Sequence, residues 1–132
     1  MRKLLAAILL VILLGGLIVA QTPPELATLQ QKFRSFNYDG VIELANEYLT
    51  RMDQYSSDQL ISIYEIKAMA HYSKSELDAA QYAFESILKL DESYSPDPVK
   101  TSPKIIDFFN SIKKEYRPQS AEPDEPVEQS ET

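Results

Sequence analysis

Between Gln21 and Tyr116, apolar side chains recur at spacings of three and four residues, and no stretch sustains the two-residue alternation of a half-buried strand. Leu26, Leu29, Phe33 and Phe36 form one stripe; Val41, Ile42, Ala45, Tyr48, Leu49 and Met52 form a second. Tyr64, Ala68 and His71 share a face at i, i+4 and i+7, as do Ala80, Phe84 and Ile87. Ile105, Ile106, Phe108, Phe109 and Ile112 crowd one last segment. These stripes predict an all-α fold of five helices, over Pro23–Phe36, Tyr38–Met52, Asp58–Ser73, Ser75–Leu90 and Pro103–Tyr116. Beyond the first twenty residues Gly40 is the only glycine, which also favours helix.

The residues between the stripes supply starts and stops. Thr22-Pro23-Pro24-Glu25 reads as a cap, a proline in the first turn and a glutamate that reaches back. Asn37-Tyr38-Asp39-Gly40 reads as the first turn, and either Ser56 with Gln59 or Ser57 with its neighbours as the cap of the third helix. Ser75 and Asp78 fit a cap and its partner for the fourth. Pro96 and Pro98 bar a continuous helix through Asp91–Ser102, and Ser102-Pro103 restarts one.

The stretch YEIKAMAHYSKSELDAAQYAFESILKL, Tyr64–Leu90, resembles the tetratricopeptide repeat: small residues at Ala68 and Ala80 allow close approach, with Tyr64 and Phe84 beside them. Leu26–Met52 resembles a degraded copy of the same hairpin. Tyr38 and Leu77 are equivalent and lie 39 residues apart; the family period is about 34, and the excess falls in a surface connection at Arg51–Ser57. The passage LDESYSPDPVKTSPKIIDFF is similar to the closing segment of small exported bacterial proteins of this kind. The resemblance implies a short helical-repeat array of two hairpins plus a C-terminal capping helix. It assigns Tyr64, Ala68, His71, Leu77, Ala80, Phe84 and Ile87 to packing. It also implies an inner surface from the first helix of each hairpin: Gln31 and Arg34, then Glu65, Met69 and Tyr72. Either these five bind a protein segment, or Met69 and Tyr72 simply contact the closing helix.

The ends of the chain read differently. Arg2-Lys3 precede the apolar run Leu4–Ala20, the pattern of a secretory signal over residues 1–20 or of an uncleaved anchor; either places the 21–116 domain outside the cytoplasm. Without Met1–Ala20, eleven basic residues face twenty acidic ones, a formal charge of −9. Residues 117–132 carry −4 of it and almost nothing apolar, so this tail is expected to be disordered. The acidic balance argues against nucleic acid. The chain has no cysteine, so no disulfide or thiolate site contributes.

Candidate chemistry is sparse. His71 is the sole histidine and reads as a packing residue, with no second histidine or cysteine to share a metal. Glu43 and Glu47, four apart, read as a solvated pair. Asp91, Glu92 and Asp97 lack the central glycine of a calcium loop. No phosphate loop or nucleophile motif is present. The expectation is a non-enzymatic interaction module of the bacterial envelope, periplasmic or secreted, without cofactor or metal, binding an unidentified protein. The alternative is a structural module that self-associates or is held at the membrane through residues 4–20.

Overall fold

The computed structural model describes residues 23–118; the expected signal, the Thr22 cap and the acidic tail past Pro118 lie outside them. Among the described residues the protein is all-helical. Its elements are α1 (Pro24–Arg34), α2 (Tyr38–Leu49), a 3-10 turn (Met52–Gln54), α3 (Ser57–Ser73), α4 (Leu77–Leu90) and α5 (Pro103–Glu115). None of these helices is long and apolar enough to cross a membrane.

Two apolar clusters make the core, and α3 contributes to both. Leu26 and Leu29 of α1 and Val41, Ala45 and Tyr48 of α2 pack on Ile63, Ile66 and Ala70 of α3. On its other side, Ala68 joins Ala83, Phe84, Ile87 and Leu88 of α4 and Ile105, Phe109 and Ile112 of α5. Met69 packs against both clusters. A central helix of this kind is apolar on two sides rather than along one stripe. Phe84 is the hub of the second cluster: its ring centroid lies 5.3 Å from that of Phe109 and 6.3 Å from that of Phe108.

The turns of the two helix pairs are built alike. After α1, Ser35 ends the helix, Phe36 takes a left-handed φ of 57°, and Asn37 starts α2; after α3, Lys74, Ser75 (φ 63°) and Glu76 do the same. The amide of Asn37 donates to the Lys32 carbonyl at 3.0 Å, and that of Glu76 to the His71 carbonyl at 2.9 Å. The amides of Phe36 and Ser75 donate to Phe33 and Tyr72 at 3.0 and 2.9 Å. Both are Schellman closures, which satisfy the last carbonyls of a helix through one left-handed residue. Every corresponding position is offset by 39 residues, the separation read between Tyr38 and Leu77.

This geometry corrects several sequence expectations. The first turn is Ser35–Asn37, and Tyr38–Gly40 already belong to α2, where the Asn37 side chain accepts from the Gly40 amide at 3.0 Å. Phe36 is not in the apolar stripe: the left-handed residue that reverses the chain points outward, leaving it 77% exposed. Ser75 cannot cap α4 because it occupies the equivalent left-handed position; Glu76 is the N-cap residue and makes no side-chain cap. Leu77 is 47% exposed rather than packed, because a side chain leans toward its helix N-terminus and the first residue of α4 therefore projects past the helix end. Met52 falls in the 3-10 turn after α2 and is 40% exposed.

The first helix starts at Pro24 with Pro23 as its N-cap residue, so Pro23 does not lie in the first turn as expected; other local expectations hold. Ser56 and Gln59 form a reciprocal capping box, at 2.9 and 3.3 Å. The Ser102 hydroxyl accepts from the Ile105 amide at 3.4 Å, with Pro103 in the first turn of α5. Ala68, His71, Ala80, Phe84 and Ile87 are buried, and Tyr64 is half-buried against the second cluster.

Candidate functional site

Of the five residues expected on an inner surface, three lie together. Glu65, Met69 and Tyr72 follow one another along a face of α3, and all three are half-buried. The cover comes from the C-terminal part of the chain. The Tyr72 ring meets Phe108 of α5 at 5.2 Å between centroids. Gln31 and Arg34 are exposed on α1, and among the described residues no hydrogen bond or ion pair of their side chains joins them to the other three.

The residue beside Glu65 is Tyr94, in the connection from α4 to α5. Its ring stands edge-on to Phe109 at 5.6 Å, and its carbonyl accepts from Lys113 Nζ at 2.6 Å. Its hydroxyl is buried beside the Glu65 carboxylate, without a strictly formed hydrogen bond to it. Burial first, and then that carboxylate, pushes the phenol far above the ordinary tyrosine range. The Thr101 hydroxyl, also in this connection, is the other buried side-chain polar atom left without a partner among the described residues. Such a group costs about 1–3 kcal/mol. Other polar contacts of the segment are short-range: Asp91 accepts from the Ser93 amide at 2.9 Å and Asp97 from the Val99 amide at 2.9 Å. No local pattern singles out Tyr94; its one visible signal is an aromatic residue in an otherwise polar, proline-broken connection.

A charged cluster sits at the turn of the second hairpin. Lys74 Nζ lies 2.6 Å from both Asp39 Oδ1 on α2 and Glu76 Oε1, while Glu76 Oε2 lies 2.6 Å from His71 Nδ1. Lys74, then His71, holds the Glu76 carboxyl below its ordinary range, and Asp39 with Glu76 holds the Lys74 ammonium above its own. His71 thus packs at the hairpin end and bonds a carboxylate. Among the described residues no three acidic, histidine or cysteine side chains are placed to hold a metal.

Two further features have less shape. Lys67 of α3 is half-buried without an ion pair among the described residues, and burial pulls its ammonium below the ordinary lysine range. An open groove of about 540 Å³ runs between α4 and α5, with Glu85, Lys89, Glu92 and Glu115 mixed along it. Its mixed charges and open shape hold no nucleophile–base pair. Comparison with protein-family models, with curated proteins and with solved structures returned no match.

Proposed function

We propose that this chain is a non-enzymatic adaptor of the bacterial envelope, similar to tetratricopeptide-repeat proteins, that binds a protein segment on the inner face of a short helical array. One observation carries this reading. Two helix pairs close through the same three-residue Schellman turn at a constant offset of 39 residues, as expected of one unit used twice. Stacked helix pairs of this kind present the first helix of each pair along one surface; here these are α1 and α3, with Gln31, Arg34, Glu65, Met69 and Tyr72. In this reading α5 closes the array, its apolar side on Phe84 and its last residues beside the polar positions of α4. Export through residues 1–20 belongs to the same proposal and rests on the sequence.

A photo-cross-linking amino acid placed in turn at Arg34, Tyr72 and Glu43 tests it in cells. The adaptor reading expects one discrete adduct with another protein from Arg34 and Tyr72, and none from Glu43 on the exposed side of α2. Adducts only with further copies of the same chain would favour the self-associating module instead. Adducts from no position, or equally from all three, would remove the adaptor reading.

A further inference from the structure

We propose that the aromatic turn at Phe36 docks the acidic, proline-containing segment 119–132 of a second copy of this chain. This contact is independent of the α3 face and of the adaptor reading.

Phe36 is the less expected of the two left-handed residues. A Schellman turn needs one such residue, and glycine or asparagine holds that position at least cost. Here a phenylalanine holds it at φ 57°, with its ring 77% exposed. Neither backbone preference nor burial accounts for the ring, and an outlier of that kind points to a use. Two more rings extend the platform. Tyr38 stands edge-on to Phe36 at 6.3 Å between centroids and meets Phe33 at 5.4 Å. Aromatic surfaces of this kind suit proline-containing segments, which have a fixed φ and little conformational freedom to lose.

The charges beside the platform select the occupant. Lys32 and Arg34 lie in the last turn of α1, and among the described residues neither forms an ion pair. The nearest acid in sequence, Asp39, is held by Lys74 at 2.6 Å. Segment 119–132 carries five acidic residues and no basic one, and its run EPDEPVE includes Pro123 and Pro126. The groove at the segment's own root is a poorer match, because Glu85, Glu92 and Glu115 line it against Lys89 and Arg117.

Reach assigns the docked segment to a second copy. Pro118 lies in the groove between α4 and α5, whereas Phe33 and Tyr38 pack on the first cluster, across α3. At about 8–10 Å between packed helix axes, the two places are roughly 20 Å apart. The five residues from Pro118 to Pro123 span at most about 18 Å. The chain's own segment therefore cannot seat both prolines on the platform, and a neighbour's can.

Two mixed populations of the chain as isolated test this. One carries the photoreactive p-benzoyl-phenylalanine in place of Phe36, and the other is labelled uniformly with heavy nitrogen. Irradiation should join the unlabelled turn to labelled residues 119–132, in proportion to the labelled share. Phe36→Gly suits the left-handed backbone, so it removes the ring without harming the fold, and should abolish concentration-dependent self-association in sedimentation. Arg34→Gln should weaken that association by about two- to fivefold, the factor of one exposed ion pair. Adducts that are wholly unlabelled, adducts to other parts of the chain, or no adduct would each overturn the proposal. So would a chain that is monomeric at every concentration, or self-association unchanged in either variant.

Discussion

The two helix pairs share a turn but differ in what surrounds it. The first pair closes on Phe36, a large aromatic in the left-handed region and 77% exposed, with no ion pair at Ser35–Asn37 among the described residues. The second closes on Ser75, flanked by the Lys74, Glu76 and His71 contacts, and its Lys74 reaches across to Asp39 in the first pair. The cores differ in the same sense. Around α1 and α2 the buried side chains are Leu, Val and Ala with a single tyrosine, whereas α4 buries Phe84 against two phenylalanines of α5. The comparison shows that a Schellman closure sets the path of the chain while leaving its neighbours free to set the stability. It also shows where the molecule is asymmetric: among the described residues the second pair packs on a further helix, α5, and the first packs only on α3.

The largest test of that asymmetry is in the cores. Phe84→Ala removes a fully buried ring at the centre of the second cluster and should cost about 3–5 kcal/mol. For a domain near 0.05–0.15 kcal/mol per residue this is roughly a fifth or more of the total. Glu43→Ala, on an exposed side of α2, should leave the chemical-denaturation midpoint nearly unchanged. Equal effects would mean that the two sides of the helices are wrongly assigned.

The turns should respond less, and in the opposite direction. Phe36→Gly relieves a left-handed residue at a cost of about 1–2 kcal/mol, offset by about 0.5–1 kcal/mol of extra freedom in the unfolded chain. The melting temperature should rise by a few degrees for a domain of this size. Ser75→Gly should gain less, because loosening that turn also disturbs the Lys74 and Glu76 contacts on either side of it. A fall in melting temperature for Phe36→Gly would indicate that its contact with the Tyr38 ring, at 6.3 Å, outweighs the backbone effect.

The smallest effect is electrostatic and carries a definite sign. The folded Glu76 carboxyl lies below its ordinary value of 4.5, so its contribution to stability is present above that value and is lost as pH falls through the lowered one. The raised Lys74 ammonium contributes at all lower pH and loses its contribution only above the ordinary lysine value of 10.5. Lys74→Met should therefore flatten the acid limb of the melting temperature between neutral pH and pH values below 4.5. An acid limb as steep as in the parent would place the sensitive carboxyls elsewhere.

Much of the architecture was legible because it depends on spacing. The five stripes located the helices to within a few residues, and the Ser56–Gln59 and Ser102-Pro103 starts follow from local chemistry alone. The turns were less legible. A left-handed position announces itself through glycine or asparagine, and here a phenylalanine and a serine hold it. Phe36 therefore looked like the end of a stripe, and Ser75 like a cap. The face of α3 was legible only in part: its spacing placed Glu65, Met69 and Tyr72 together, but the cover over them depends on long-range contacts of Tyr94 and Phe108 that no local pattern encodes.

The central claim is that α5 completes the second pair's core, and that both pairs melt as one unit through α3. Two truncations, followed by scanning calorimetry, test it most directly. Removing 119–132 should leave a single transition whose calorimetric and van't Hoff enthalpies agree. Removing Pro103–Thr132 takes away Ile105, Phe109 and Ile112, all buried in the second cluster, and should abolish cooperative melting or cause aggregation. A soluble protein with one sharp, enthalpy-matched transition after the larger truncation would contradict the claim and assign α5 to partner binding instead.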